Sequence, residues 1–118
     1  MIHIYGIPNC GSVKKALDYF KDRAIACTFH DFKKERLTAS KLELWSKSMD
    51  WEKLLNKKGT TWRGLSQEEQ AHASKVPGAI DVMLQHTSVI KRPVVEWADG
   101  SVTVGFDESL FAGKLQSK

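Results

Sequence analysis

The chain has 118 residues and carries 18 Lys and Arg against 14 Asp and Glu, for a formal net charge of +4. With 42% hydrophobic and 27% charged residues it has the composition of one globular domain with a real core, and no apolar run approaches a membrane span. The basic residues come in pairs (Lys14-Lys15, Lys33-Lys34, Lys57-Lys58, Lys91-Arg92) rather than in a longer tract, which suits small anionic ligands and argues against direct nucleic-acid binding. The N-terminus has no signal-peptide pattern, and two cysteines do not make a disulfide scaffold, so a reducing cytoplasm is the expected compartment.

Ile2-His3-Ile4-Tyr5 alternates like a strand, and Gly6, Pro8 and Gly11 mark the turn after it. A helix follows to about Lys21, with Ala16, Leu17 and Phe20 on one face. Residues 24–32 read as a second, buried strand, parallel to the first because a helix crosses between them. Thr38 is placed to cap a helix running to Met49, and Asp50 to cap a short one over residues 51–55. Residues 56–64 read as irregular. Ser66 and Glu69 fit a capping box, and Pro77 opens a helix to about Gln85. Asp99-Gly100 between Pro93-Val94-Val95 and Val102-Thr103-Val104 signals a hairpin, and Asp107 is placed to cap a last helix. The expectation is a single domain over residues 1–118, with a helical insertion at about 38–86 between a β-α-β half and a β-β-α half.

Cys10 falls between Asn9 and Gly11, at the start of the first helix. Unpaired backbone N–H groups and the helix dipole favour an anion there, and the thiolate is the reactive form of cysteine. Lys14 and Lys15 add positive charge. The N–H groups of Asn9, Gly11 and Ser12 are candidates to cradle the anion, while the Ser12 hydroxyl reads as a helix cap. Cys27 lies in an apolar run and reads as a small buried hydrophobe. His3, His30, His72 and His86 are scattered without metal-ligand spacing, so no metal site is expected. The four tryptophans, interspersed with charges, read as core or partly buried packing.

The element order resembles the thioredoxin-like α/β fold, in which a proline opening the third strand is typically cis and faces the cysteine turn. Pro8-Asn9-Cys10-Gly11-Ser12-Val13-Lys14-Lys15-Ala16, the segment from Leu54 to Arg63, and Ile90-Lys91-Arg92-Pro93-Val94-Val95 with Val104-Gly105-Phe106 resemble the arsenate reductase ArsC/Spx family. Within it they are most similar to the small YffB-type branch of glutathione-dependent thiol reductases. The resemblance implies that Cys10 is a catalytic nucleophile, that Arg92 and Pro93 line the anion site, and that glutathione is a co-substrate with no tightly bound cofactor. It also implies glutaredoxin or RNA polymerase as possible protein partners. Arsenate reductases of the family place three arginines around the oxyanion. Arg92 matches one; the first falls where this chain has Asn56, Lys57 and Lys58, with Arg63 nearby; the third has no counterpart near Val104–Asp107. A lysine supplies charge but not a bidentate fork, so weak arsenate turnover is expected. Spx-type regulators carry Cys-x-x-Cys, and here the last position is Val13, which leaves Cys10 without a resolving partner in its turn.

Overall fold

The computed structural model describes residues 1–116. Its elements in chain order are β1 (Ile2–Gly6), α1 (Gly11–Asp22), β2 (Cys27–Asp31), α2 (Ala39–Ser48), a 3-10 turn (Trp51–Leu54), α3 (Thr60–Arg63), α4 (Gln67–His72), α5 (Val76–Gln85), a second 3-10 turn (Thr87–Val89), β3 (Val94–Glu96), β4 (Val102–Val104) and α6 (Glu108–Gln116). Two compact units make up the chain: Met1–Glu35 with the segment from Arg92 onward, and Arg36–Lys91.

The first unit holds a four-stranded sheet in the order β2-β1-β3-β4. β1 and β2 run parallel, from Ile2 opposite Cys27 to Gly6 opposite Asp31. β3 pairs antiparallel with β1 (Ile4 opposite Val95) and with β4 (Val95 opposite Thr103). The Asp99-Gly100 turn is as expected, with Gly100 at φ 88°, a conformation that favours glycine. Strand alternation puts Ile2, Ile4 and Val95 on one face, where they cluster with Ala16, Tyr19 and Phe20 of α1, with Trp97, and with Phe111 of α6. Phe20 stacks on Phe111 with ring centroids 5.4 Å apart, and Trp97 meets Phe111 edge-on at 5.0 Å. Full burial of a side chain such as Phe20 stabilises the fold by about 1.5–3 kcal/mol. Asp107 caps α6 by accepting the Leu110 N–H at 3.1 Å.

The second strand differs from its reading. It covers five residues rather than 24–32, because α1 ends in a wrap that uses the residues before it. The Ala24 N–H donates to the Lys21 carbonyl and the Ile25 N–H to the Phe20 carbonyl, with Ala24 at φ 55°. β2 also lies at the sheet edge and is only half-buried, so it is not the buried strand its apolar run suggested.

In the second unit Thr38 caps α2 by accepting the Lys41 N–H at 3.2 Å, and Asp50 caps the 3-10 turn by accepting from Glu52. Ser66 and Glu69 complete their capping box at the start of α4, and Pro77 sits in the first turn of α5. Residues 56–64 are not wholly irregular: Gly59 is the N-cap of the one-turn helix α3. Leu42, Trp45, Leu54, Val89 and Ile90 are fully buried. The segments beside the two 3-10 turns join through Asn56 N–H to Val89 carbonyl and Lys91 N–H to Leu54 carbonyl, each 2.7 Å.

Candidate active site

β1 stops at Gly6, and the chain turns back at once: the Cys10 N–H donates to the Ile7 carbonyl at 3.3 Å. Cys10 keeps an extended backbone (φ −89°, ψ 127°) and is the N-cap of α1, its carbonyl accepting from Lys14 N–H at 3.0 Å. The cap is therefore the cysteine and not Ser12. Because the turn closes at Cys10, Ser12 is already the second helical residue, and it is exposed.

An N-cap side chain faces the N–H groups two and three residues on, here those of Ser12 and Val13. Arg92 also reaches the Cys10 sulfur. It lies two residues before β3, the strand beside β1, and its peptide to Pro93 is cis, as the resemblance implied. Partial burial works against the Cys10 thiolate. The Val13 N–H, the Arg92 hydrogen bond, the Ser12 N–H and the Arg92 charge outweigh it and hold the thiol below its ordinary value. The Cys10 side chain closes no capping hydrogen bond, and the amides favour its charged form. Pro93 is buried, and its carbonyl accepts the Gly105 N–H at 2.9 Å, which ties the cis-proline bend to the end of β4.

Cys27 contrasts with Cys10: burial pushes its thiol up, with no opposing donor. Asn9, Gly11 and Lys14 are exposed, and the charge acting on the Cys10 sulfur is that of Arg92 rather than Lys14. Lys58 and Arg63 belong to the second unit, where both are exposed, Arg63 at the end of α3. Lys57 rather than Lys58 sits over the Trp62 ring, 5.5 Å from its centroid.

Two features of the first unit are not evident from sequence spacing. In sequence Val13 marks only the missing second cysteine, yet its N–H acts on the thiol more strongly than that of Ser12; the N-cap rule finds it once the cap is placed at Cys10. The histidines are not all scattered: His3 Nδ1 lies 2.8 Å from His30 Nε2, and His30 Nδ1 lies 2.9 Å from Glu35. Parallel register sets them on adjacent strands, a proximity that no local spacing encodes. Among the described residues, no group of three or more His, Cys, Asp and Glu is arranged to hold a metal. A cavity of about 710 Å³ lies beyond the opposite end of β1, against Ile2, Ile25, Trp97 and Lys114, and includes none of the Cys10 site.

The model of the ArsC family matches residues 5–112. The chain belongs to the ArsC family. It is 36% identical over 108 residues to an uncharacterised protein of Haemophilus influenzae, covering 92% of this chain and 93% of that one. Among solved structures it superposes on a protein named YffB with a TM-score of 0.91 at 35% identity, covering 98% and 99% of the two chains. An ArsC-related protein of Brucella melitensis is 40% identical, with a TM-score of 0.75 over 98% and 94%. The arsenate reductase of Vibrio cholerae, at 17% identity and a TM-score of 0.72 over 87% of each chain, shares the fold. This member of the ArsC family is thus YffB-like and has a thioredoxin-like fold. Among its described residues, no helix is long and apolar enough to cross a membrane.

Proposed function

We propose that this ArsC-family protein is a glutathione-dependent monothiol reductase with Cys10 as its nucleophile. The observation that carries the reading is the Cys10–Arg92 pair at the N-terminus of α1, beside a cis-proline. With Val13 in the position of a second cysteine, the turn offers no resolving sulfur, and an external thiol must complete the cycle. The Cys10 thiolate attacks the glutathione sulfur of a mixed disulfide RS–SG. A Cys10–SG bond forms, and RS⁻ leaves and takes a proton from water. A second glutathione thiolate then attacks the bound glutathione sulfur, releasing oxidised glutathione and the Cys10 thiolate. The sum is RSSG + GSH → RSH + GSSG. Arg92 is the group suited to hold a glutathione carboxylate, and Pro93 to shape the groove wall. Such a cycle fits a reducing cytoplasm, with glutaredoxin as an alternative source of the resolving thiol.

Arsenate is the weaker substrate in this reading. Arg92 stands alone among the family's three arginine positions, and no arginine occurs from Val104 to Asp107. The test is intact-mass analysis after exposure to oxidised glutathione, run beside an arsenate assay with glutathione and glutaredoxin. One glutathione on Cys10, absent in Cys10→Ser, with little arsenate turnover, is the expected result. Robust Cys10-dependent arsenate turnover would overturn the substrate assignment. Absence of any Cys10 adduct would overturn the reductase reading and favour a partner-binding protein of the Spx kind.

A further inference from the structure

Gly6 closes β1 four residues before the cysteine, and its lack of a side chain has a steric reason. A Cβ built on Gly6 would stand 2.6 Å from Cγ2 of Val13, well inside van der Waals contact. Gly6 cannot retreat easily: it pairs with Asp31 on β2, and its carbonyl accepts the Phe32 N–H at 2.9 Å. Val13 is fully buried, and as a β-branched helical residue it has essentially one side-chain rotamer open to it. The first turn of α1 is therefore seated directly on the backbone at the end of β1. Val13 is also the residue whose N–H favours the Cys10 thiolate most.

We infer that Gly6 is a positioning residue for the Cys10 site: its bare Cα lets Val13 seat against β1, and this contact aims the Val13 and Ser12 N–H groups at the Cys10 sulfur. A methyl group at residue 6 pushes Val13 outward. The helix start carries both amides with it, and the thiolate loses their support while the sheet stays paired. The inference builds on the reading of Cys10 as the reactive thiol but needs neither glutathione nor any substrate.

The experiment is a double-mutant cycle read by the pH dependence of Cys10 alkylation with iodoacetamide, in a Cys27→Ser background. Gly6→Ala is expected to move the alkylation midpoint upward and to slow the reaction several-fold at pH values below that midpoint, since a midpoint one pH unit higher leaves about tenfold less thiolate there. Val13→Ala keeps the N–H and removes the methyls that would clash, so its midpoint is the reference against which the double variant is read. Gly6→Ala/Val13→Ala should return to the Val13→Ala value. A lowered melting temperature in Gly6→Ala with an unmoved midpoint would mean a purely structural glycine and overturn the inference, as would a double variant whose midpoint stays raised. Should Gly6→Ala not fold, the double variant against Val13→Ala carries the same test. A parent midpoint at the ordinary free-thiol value would overturn it as well. Failure to form a glutathione adduct with this cycle intact would sink the proposed reductase reading and leave the role of Gly6 standing.

Discussion

The two cysteines sit in the same unit, and both are partly exposed, yet their surroundings drive them in opposite directions. At Cys10 the Val13 and Ser12 N–H groups and the Arg92 guanidinium favour the thiolate, and its thiol is held below the ordinary value against the penalty of partial burial. Cys27 opens an edge strand, meets the same kind of penalty with nothing to oppose it, and is pushed up. The difference teaches that thiol acidity in this fold follows from aimed donors and not from access to solvent.

The comparison breaks most visibly if the thiols are removed one at a time. Cys10→Ser should abolish fast alkylation near neutral pH, and Cys27→Ser should leave it intact. Rate against pH for the two variants and the parent checks this, and a fast reaction surviving in Cys10→Ser would reverse the assignment. Removing the long-range donor is the next largest change. Arg92→Ala should raise the Cys10 alkylation midpoint and weaken glutathione binding by about 1–3 kcal/mol, the range for a hydrogen bond to a charged group. The lower end applies if solvent screens the pair. Arg92→Lys should recover part of the effect, since it restores the charge without the planar fork. Isothermal titration with glutathione and the alkylation profile measure the two halves separately, with circular dichroism as the check on folding.

The smallest effect is on stability, and it carries opposite signs at the two sites. The folded-state value of Cys10 is depressed, so its stabilising contribution is present above the unfolded thiol value and is lost as pH falls through the folded one. The folded-state value of Cys27 is raised, so its contribution is present below the unfolded value and is lost as pH rises through the folded one. Melting temperatures of the parent and of each Cys→Ser variant, followed from about pH 6 to 10 around the free-thiol value, should therefore diverge with pH for Cys10 and converge with pH for Cys27. Parallel curves for both would show that the contrast in acidity has no energetic counterpart in the fold.

Much was legible where the physics is local. Thr38, Asp50, Ser66 and Asp107 each cap the element they precede, because an N-cap needs only a short polar side chain within three residues of the N–H groups it satisfies. The Asp99-Gly100 hairpin was readable for the same reason: its turn chemistry lies in adjacent residues. Cys10 at a helix start belongs to this class too. The misreadings lie where a neighbour in sequence gave way to a neighbour in space. Ala24 and Ile25 have strand-like composition but are used to end α1, and the apolar Cys27–Phe29 run lands on an edge that only strand order reveals.

By itself the sequence determined most of the elements, the hairpin, the caps at Thr38, Asp50, Ser66 and Asp107, and a cysteine placed at the start of a helix. These depend on backbone N–H groups and side chains a few residues apart. The tertiary structure decided what that cysteine is chemically. Pairing β3 with β1 brings Arg92 to the sulfur, and parallel register joins His3 to His30. Each of these depends on groups far apart along the chain meeting within a few ångströms, and sequence spacing carries no record of that distance.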